Sequence, residues 1–180
     1  MAKLDIVIHP YDSLRATAEE VTTSDLMSVE TQQFIDDLME TLEDKFPLGA
    51  GLSANQVDVL KRIFVINLEL DNGMLIKQVF VNPKIELSSD ETGIDWEGCL
   101  SFPDQWGQVV RPKTVRISAW DRHGDDFEIN ASNFYARLLQ HELDHLNGDL
   151  FIDKLESELI DTKELDTIVE KADRNEPSRG

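Results

Sequence analysis

The chain has 180 residues, which is enough for one domain that buries a hydrophobic core without disulfides. Its 36 acidic and 17 basic residues give a formal net charge of −19, which argues against direct binding of nucleic acid or an anionic membrane. Because there is one cysteine and no apolar segment long enough for a signal or a membrane span, we expect a cytoplasmic protein. We also expect a monomer, since nothing in the sequence indicates a large exposed apolar face.

The N-terminal third predicts one long helix and one glycine-rich segment. Residues 5–10 form a short extended segment that ends at a proline. From Ser24, apolar residues recur at helical intervals until Phe46, which precedes a proline. Residues 49–56, GAGLSANQ, then predict a turn at which another backbone or a ligand can approach closely. A phosphate-binding loop does not fit, because GxxxxGK[ST] is absent from this segment.

Two antiparallel hairpins are predicted from pairs of apolar segments with turns between them: 62–68 with 75–83, and 109–119 with 126–130. The first turn contains Asn72-Gly73, a pair that accepts positive φ. Residues 96–103, between the hairpins, predict a loop that contains Cys99. A lone cysteine is usually a small buried hydrophobic residue, so Cys99 alone does not indicate a site.

The last third of the chain predicts two amphipathic helices. The first begins at Ser132 or Asn133 and ends at Asn147, before a glycine. The second spans 153–173. Residues 174–180 predict a disordered tail, so that residues 1–173 are expected to form a single catalytic domain.

The first of these helices carries the motif HELDH at residues 141–145. In this HExxH pattern, one turn of helix directs two imidazoles at one metal ion. Glu142 lies about 100° further round the helix, so it can take a proton from water instead of binding the metal. A catalytic site usually has a third protein ligand, and the Cys99 sulfur suits a divalent transition metal.

Three segments in this order, GAGLSANQ, EGCLS and QHELDHLNG, resemble the peptide deformylase family. Peptide deformylases are metal hydrolases that remove the formyl group from the N-terminal methionine of new polypeptides. The resemblance covers about residues 6–152. It implies an α+β fold in which antiparallel sheets pack around a central helix that bears HExxH, with one N-terminal and one C-terminal helix.

The resemblance also implies a role for each matching residue. The metal ligands are Cys99, His141 and His145, and the general base is Glu142. The formyl oxygen is held by Gln56 and the backbone N–H of Leu100. The substrate-binding residues are Gly51, along which the peptide lies as an added strand, with Ala50, Gly98 and Leu138. One divalent metal ion is implied per chain, with Fe(II) as the native metal and Zn, Ni or Co able to replace it.

Some positions depart from the usual family pattern. Ala50 stands where a larger aliphatic residue is common, Ser53 replaces a usual alanine, and Trp106 replaces an arginine of some members. Glu97 needs a cationic partner, for which Arg111 is the candidate. The implied partners are N-formyl-methionyl nascent peptides. Transient ribosome association through residues 153–180 is disfavoured, because this segment has nine acidic and five basic residues.

Two other functions remain open at this point. An HExxH metallopeptidase would cut internal peptide bonds and would more often use a third histidine or a glutamate as ligand. A metal-binding module without turnover would keep the fold and lose the catalytic residues. The presence of Gln56 and Glu142 beside all three metal ligands argues against that module.

Overall fold

A computed structural model describes residues 3–70 and 73–175. The helices in this part of the chain are α1 (Thr23–Leu26), α2 (Val29–Lys45), α3 (Asn133–Asn147) and α4 (Thr162–Asn175). The strands are β1 (Gly51–Ser53), β2 (Ile63–Glu69), β3 (Leu75–Ser88), β4 (Thr92–Cys99), β5 (Phe102–Pro112), β6 (Thr114–Trp120) and β7 (Asp126–Ser132). None of these helices combines the length and apolar character needed to cross a membrane.

The strands form two antiparallel sheets, so the predicted α+β class is confirmed. The larger sheet has the order β1-β2-β3-β6-β7, and β4 pairs with β5 in the smaller one. Strand β2 is buried from Ile63 to Leu68 because both faces of the larger sheet are covered. Phe64 and Ile66 pack with residues of α3, whereas Ile63 and Val65 pack with residues of α2.

The long helix predicted from Ser24 is interrupted, which corrects the sequence-based boundary. Helix α1 ends at Leu26, and Ser28 begins α2 by accepting a hydrogen bond from the Thr31 N–H through its hydroxyl. An N-cap of this kind competes with helix continuation, because the serine must leave helical geometry to reach that N–H. Leu26 and Ile35 belong to the same core cluster, so the apolar pattern conceals the break.

The prediction of a loop at residues 96–103 is wrong. Strands β4 and β5 pair through this region and are joined by the two-residue turn Leu100-Ser101. Strand β4 was hard to predict because it contains glycine, aspartate and glutamate, which are depleted in strands. The strand predicted at 109–119 also divides at Lys113, between the end of β5 and the start of β6.

The last helix begins later than predicted. Residues 155–160 are not helical and lie beside β5, where Trp106 and Ile160 exchange two backbone hydrogen bonds of 2.9 Å. Helix α4 includes Asn175, and residues 176–180 of the predicted tail lie outside the described residues. Asn72 of the predicted first hairpin turn also lies outside them, although β2 and β3 pair as predicted.

Gly148 ends α3 in a left-handed conformation and lies against the backbone of Arg15. Its φ is 81°, and a Cβ added there would come within 2.6 Å of the Arg15 carbonyl oxygen. Gly73 is also left-handed, with φ of 79°, but a Cβ there would meet nothing within 4 Å. A substitution at Gly73 therefore introduces only conformational strain, whereas one at Gly148 introduces both strain and steric overlap.

We expect Gly73→Ala to lower the free energy of unfolding by about 1 kcal/mol, because only the left-handed conformation is strained. Gly148→Ala should lower it by about 3 kcal/mol, because the Arg15 backbone must also move. Urea unfolding followed by circular dichroism measures both values. Equal losses for the two variants would contradict the close approach at Gly148.

Candidate metal centre

Three potential metal ligands meet where the end of β4 faces α3. His141 and His145 are one turn apart on α3, and Cys99 is the last residue of β4. One ligand atom from each of the three lies within 4.8 Å of the others, and Cys99 Sγ is 3.2 Å from His145 Nε2. Tetrahedral coordination at ordinary bond lengths places ligand atoms roughly 3.3–3.8 Å apart, so this cluster fits one metal ion.

Glu97 orients His141 from the side opposite the cluster. His141 Nδ1 donates to Glu97 Oε2 over 3.0 Å, which leaves Nε2 directed at the cluster. The same carboxylate accepts from Arg111 Nε at 2.5 Å and Nη2 at 2.8 Å, as predicted for its cationic partner. Burial alone would raise the pKa of Glu97, but the hydrogen bonds from Arg111 and His141 hold that pKa far below its ordinary value.

The two histidines differ in their affinity for protons. Burial alone would lower the pKa of His141, but hydrogen bonds with the Cys99 sulfur and Glu97 raise that pKa to about 10. The pKa of His145 lies well below its ordinary value because of burial and the neighbouring charge of His141. The cluster therefore favours a positive charge beside the Cys99 sulfur, and a divalent metal ion satisfies this preference when it replaces the proton.

Glu142 is next to the cluster but is not one of its three members. The residue is only 3% exposed, and Ser53 Oγ donates to Glu142 Oε2 over 2.7 Å. Burial raises the pKa of Glu142, although the charge of His141 and the Ser53 hydrogen bond act in the opposite direction. A carboxyl with a raised pKa beside a metal site is suited to proton transfer.

Gln56 faces the cluster from a short 3₁₀ helix, Ala54–Val57, that follows β1. Its Oε1 accepts from the Ser53 N–H at 2.9 Å, so its amide nitrogen points to Ser101 Oγ at 3.2 Å and Cys99 Sγ at 3.4 Å. This network fixes Gln56 as a hydrogen-bond donor towards the site. Leu100 directly follows Cys99 in the turn between β4 and β5.

The cluster opens into a cleft of about 470 Å³, a size suited to a small ligand. Its lining includes most of the residues predicted from the sequence: Ala50, Gly51, Gln56, Gly98, Cys99, Leu100, Leu138, His141 and Glu142. His145 is 1% exposed and does not belong to the lining. Trp106 also lines the cleft, where its ring covers Gly98 and its Nε1 donates to Thr162 Oγ1 over 3.0 Å.

Sequence reasoning missed Arg137, which supports Glu97 from α3. Arg137 Nη1 donates to Glu97 Oε1 at 2.7 Å and to the Val109 carbonyl at 2.8 Å, and the residue is 7% exposed. A detectable signal was present, since Arg137 lies four residues before His141 and therefore on the same helix face. A charged residue on a buried helix face requires a partner there.

Comparison with known proteins identifies the family. A family model described as polypeptide deformylase matches residues 3–159. The chain belongs to the polypeptide deformylase family. The expectation drawn from the three motifs is thus confirmed, and the family is one of metal-dependent hydrolases that remove the N-terminal formyl group from newly made polypeptides. This membership favours a deformylase over an HExxH metallopeptidase.

Individual relatives match most of the chain. It is 42% identical over 155 residues to the peptide deformylase of Cellvibrio japonicus, covering 86% of this chain and 88% of the relative. It is 40% identical over 167 residues to peptide deformylase 1 of Bacillus subtilis, covering 89% of this chain and 98% of the relative. Its fold is similar to that of a Synechococcus elongatus peptide deformylase crystallised with actinonin, with a TM-score of 0.76 and 36% sequence identity. The match covers 93% of this chain and 85% of that structure. A class I type b deformylase of Acinetobacter baumannii bound to Met-Ala-Ser gives TM-score 0.78, 32% identity and coverage of 86% and 99%.

Replacing Glu97 tests how strongly the fold depends on the charges beside His141. We expect Glu97→Ala to lower the free energy of unfolding by about 3–5 kcal/mol, because two buried guanidinium groups lose their carboxylate. Urea unfolding with the metal removed by a chelator isolates this loss from changes in metal affinity. The control is Glu86→Ala, which removes exposed contacts with Lys84 and with the Ser118 hydroxyl and should have a much smaller effect. Similar losses in both variants would contradict the importance of the buried network.

Proposed function

We propose that the chain hydrolyses the formamide bond of N-formyl-methionyl peptides at a metal centre formed by Cys99, His141 and His145. The observation that carries the proposal is the cluster of these three potential ligands beside a cleft that Glu142 and Gln56 also line. Three protein ligands leave a tetrahedral metal one position for water or substrate. Membership of the deformylase family supports the same reaction.

The donor set supports one divalent transition metal ion, and we propose Fe(II) as the native metal, with Zn, Ni or Co able to replace it. A sulfur ligand and two imidazoles suit all four metals, so availability in the cell decides among them. When bound, such an ion acts as a Lewis acid that lowers the pKa of water and polarises a carbonyl group. Glu97 maintains the required tautomer of His141 by accepting from Nδ1.

Glu142 is proposed as the general acid and base. Its carboxylate takes a proton from the attacking water and later gives a proton to the departing amine of the peptide. A formamide is a poor electrophile and its amine is a poor leaving group, so both transfers lower the barrier. Burial of Glu142 supports this role, since a raised pKa lets the carboxyl hold the proton between the two transfers.

Gln56 and Leu100 are proposed to stabilise the oxygen of the formyl group as it becomes negative. The Gln56 amide nitrogen is directed at the site because its oxygen is occupied by the Ser53 N–H. Leu100 follows the proposed ligand Cys99 in a tight turn and lines the cleft, which supports this role for its N–H. Loss of one donor of this kind usually lowers the rate roughly 10²–10³-fold.

The substrate peptide is proposed to pair with β1 as an added strand. Strand β1 is at an edge of the larger sheet, and its Gly51 lines the cleft. Ala50, Gly98 and Leu138 line the same cleft and are proposed to contact the methionine side chain and adjacent backbone. The small Ala50 gives this pocket more width than a larger aliphatic residue would.

We also propose that residues 1–173 form one catalytic domain with α3 as its central element. Packing of α3 residues with the larger sheet supports this arrangement. We propose a cytoplasmic monomer that acts on nascent peptides. The acidic composition of residues 153–180 supports substrate encounter without contact between this segment and ribosomal RNA.

Formate release from formyl-Met peptides tests the proposed function. Protein loaded with Fe(II) under anaerobic conditions should release formate from formyl-Met-Ala-Ser and should not deacetylate the matching acetyl-Met peptide. Longer unblocked peptides serve as substrates for internal cleavage. Internal cleavage of these peptides, or absence of formate release by the iron-loaded protein, would overturn the proposal.

Two substitutions separate the proposed base from the proposed ligands. Glu142→Ala should keep about one metal ion per chain while its kcat falls at least roughly 10²-fold, because proton transfer is lost. Cys99→Ala should lose most of its metal, because one of three ligands is removed. Metal content by elemental analysis and kcat by formate release distinguish the two results. A metal-free Glu142→Ala protein would show that Glu142 belongs to the ligand set.

A further inference from the structure

Strand β1 presents one face to Glu142 and contacts it through two residues. Gly51 and Ser53 are two positions apart, so both point to the same side of the strand. A Cβ added to Gly51 would lie 2.4 Å from Glu142 Oε1, which means that the carboxyl group packs directly against the Gly51 backbone. Ser53 is fully buried on the same side of the strand.

The Ser53 hydroxyl links the carboxyl group of Glu142 to the backbone of that same residue. Ser53 Oγ is 2.7 Å from Glu142 Oε2 and 3.0 Å from the Glu142 carbonyl oxygen. These two contacts, together with the packing against Gly51, restrict the rotation of the Glu142 side chain. A long flexible side chain loses conformational entropy when it is held in this way, and the hydrogen bonds offset that loss.

We propose that Ser53 is a positioning residue that holds the Glu142 carboxyl group in place for proton transfer, an inference that rests on the proposed role of Glu142. A hydroxyl both donates and accepts hydrogen bonds, so the contact does not depend on whether the carboxyl carries a proton. Ser53 can donate to an ionised Glu142, and it can accept from a protonated Glu142 while it donates to the carbonyl oxygen.

The backbone of Ser53 extends this positioning to Gln56. The Ser53 N–H donates to Gln56 Oε1 over 2.9 Å and thereby turns the Gln56 amide nitrogen towards Cys99. One residue of β1 therefore contacts both proposed catalytic side chains that do not bind the metal. The side-chain contact to Glu142 is the one that a substitution can remove without disturbing the backbone contact to Gln56.

Ser53→Ala in the full-length, iron-loaded enzyme tests this inference. Alanine removes the hydroxyl contacts and leaves the packing against Gly51. We therefore expect kcat for formyl-Met-Ala-Ser to fall roughly tenfold, the lower end of the effect of a hydrogen bond to a charged group. KM should stay within about twofold, and the metal content should stay near one ion per chain, because a misplaced base affects transition-state stabilisation and not uniform binding.

The matched control is Ser13→Ala, which also removes a buried serine hydroxyl. Ser13 Oγ donates to the Asn55 carbonyl over 2.8 Å, outside the contacts to Glu142. We expect it to leave kcat within about twofold of wild type even if the thermal midpoint falls as much as in Ser53→Ala. A purely structural role for Ser53 predicts similar kcat values for the two variants, and that result would overturn the inference.

The failure of the inference differs from the failure of the proposed function. If the wild-type enzyme releases no formate, the proposed function itself is wrong. If the wild type is active and Ser53→Ala has unchanged kcat, or loses activity only together with its metal, then Ser53 does not position Glu142. Only a selective loss of kcat with retained metal supports the positioning role.

Discussion

The arrangement of the candidate metal centre depends on the buried carboxylate of Glu97. This carboxylate accepts hydrogen bonds from three residues on two elements: Arg111 on β5, and Arg137 and His141 on α3. A buried anion without such partners would cost several kcal/mol, so the network forms only when the β4–β5 hairpin and α3 are correctly docked. Glu97 and Cys99 are two positions apart on β4. The hydrogen bond between Glu97 and His141 therefore also fixes the position of the nearby Cys99, whose sulfur lies 3.2 Å from His145 Nε2.

A second constraint is the close approach of β1 to α3. The side chain of Glu142 lies against Gly51 at a distance that no other residue would allow without movement. Glycine thus provides the space that the Glu142 carboxyl occupies, and a side chain at this position would displace that carboxyl. The same short strand lies at the edge of the sheet and lines the cleft, so the contact that confines Glu142 lies beside the edge where a peptide can pair.

The sequence was sufficient to predict site residues whose spacing follows from the geometry of a single helix or strand. The pair His141 and His145 needed only the helical repeat, and Arg111 followed from the need of Glu97 for a cation. Contacts between segments far apart in the chain were harder to predict from the sequence. The Ser53 hydroxyl contacts Glu142, 89 positions away, only because β1 packs on α3. Strand β4 was missed because its stability comes from pairing with β5 and from buried ion pairs, and its own residues have low strand propensity.

The distribution of charge separates the outer surface from the site. The chain carries a net charge of −19, yet buried Arg111 and Arg137 balance the carboxylate beside His141. Formylation removes the positive charge of a peptide N-terminus, so the acidic surface offers no attraction to that end of the substrate. Recognition must then come from hydrogen bonds and apolar contact within the cleft, where water is displaced and such interactions are stronger. An unblocked N-terminus would instead bring an ammonium group next to the candidate metal centre, where a bound divalent ion would repel it and so disfavour its binding.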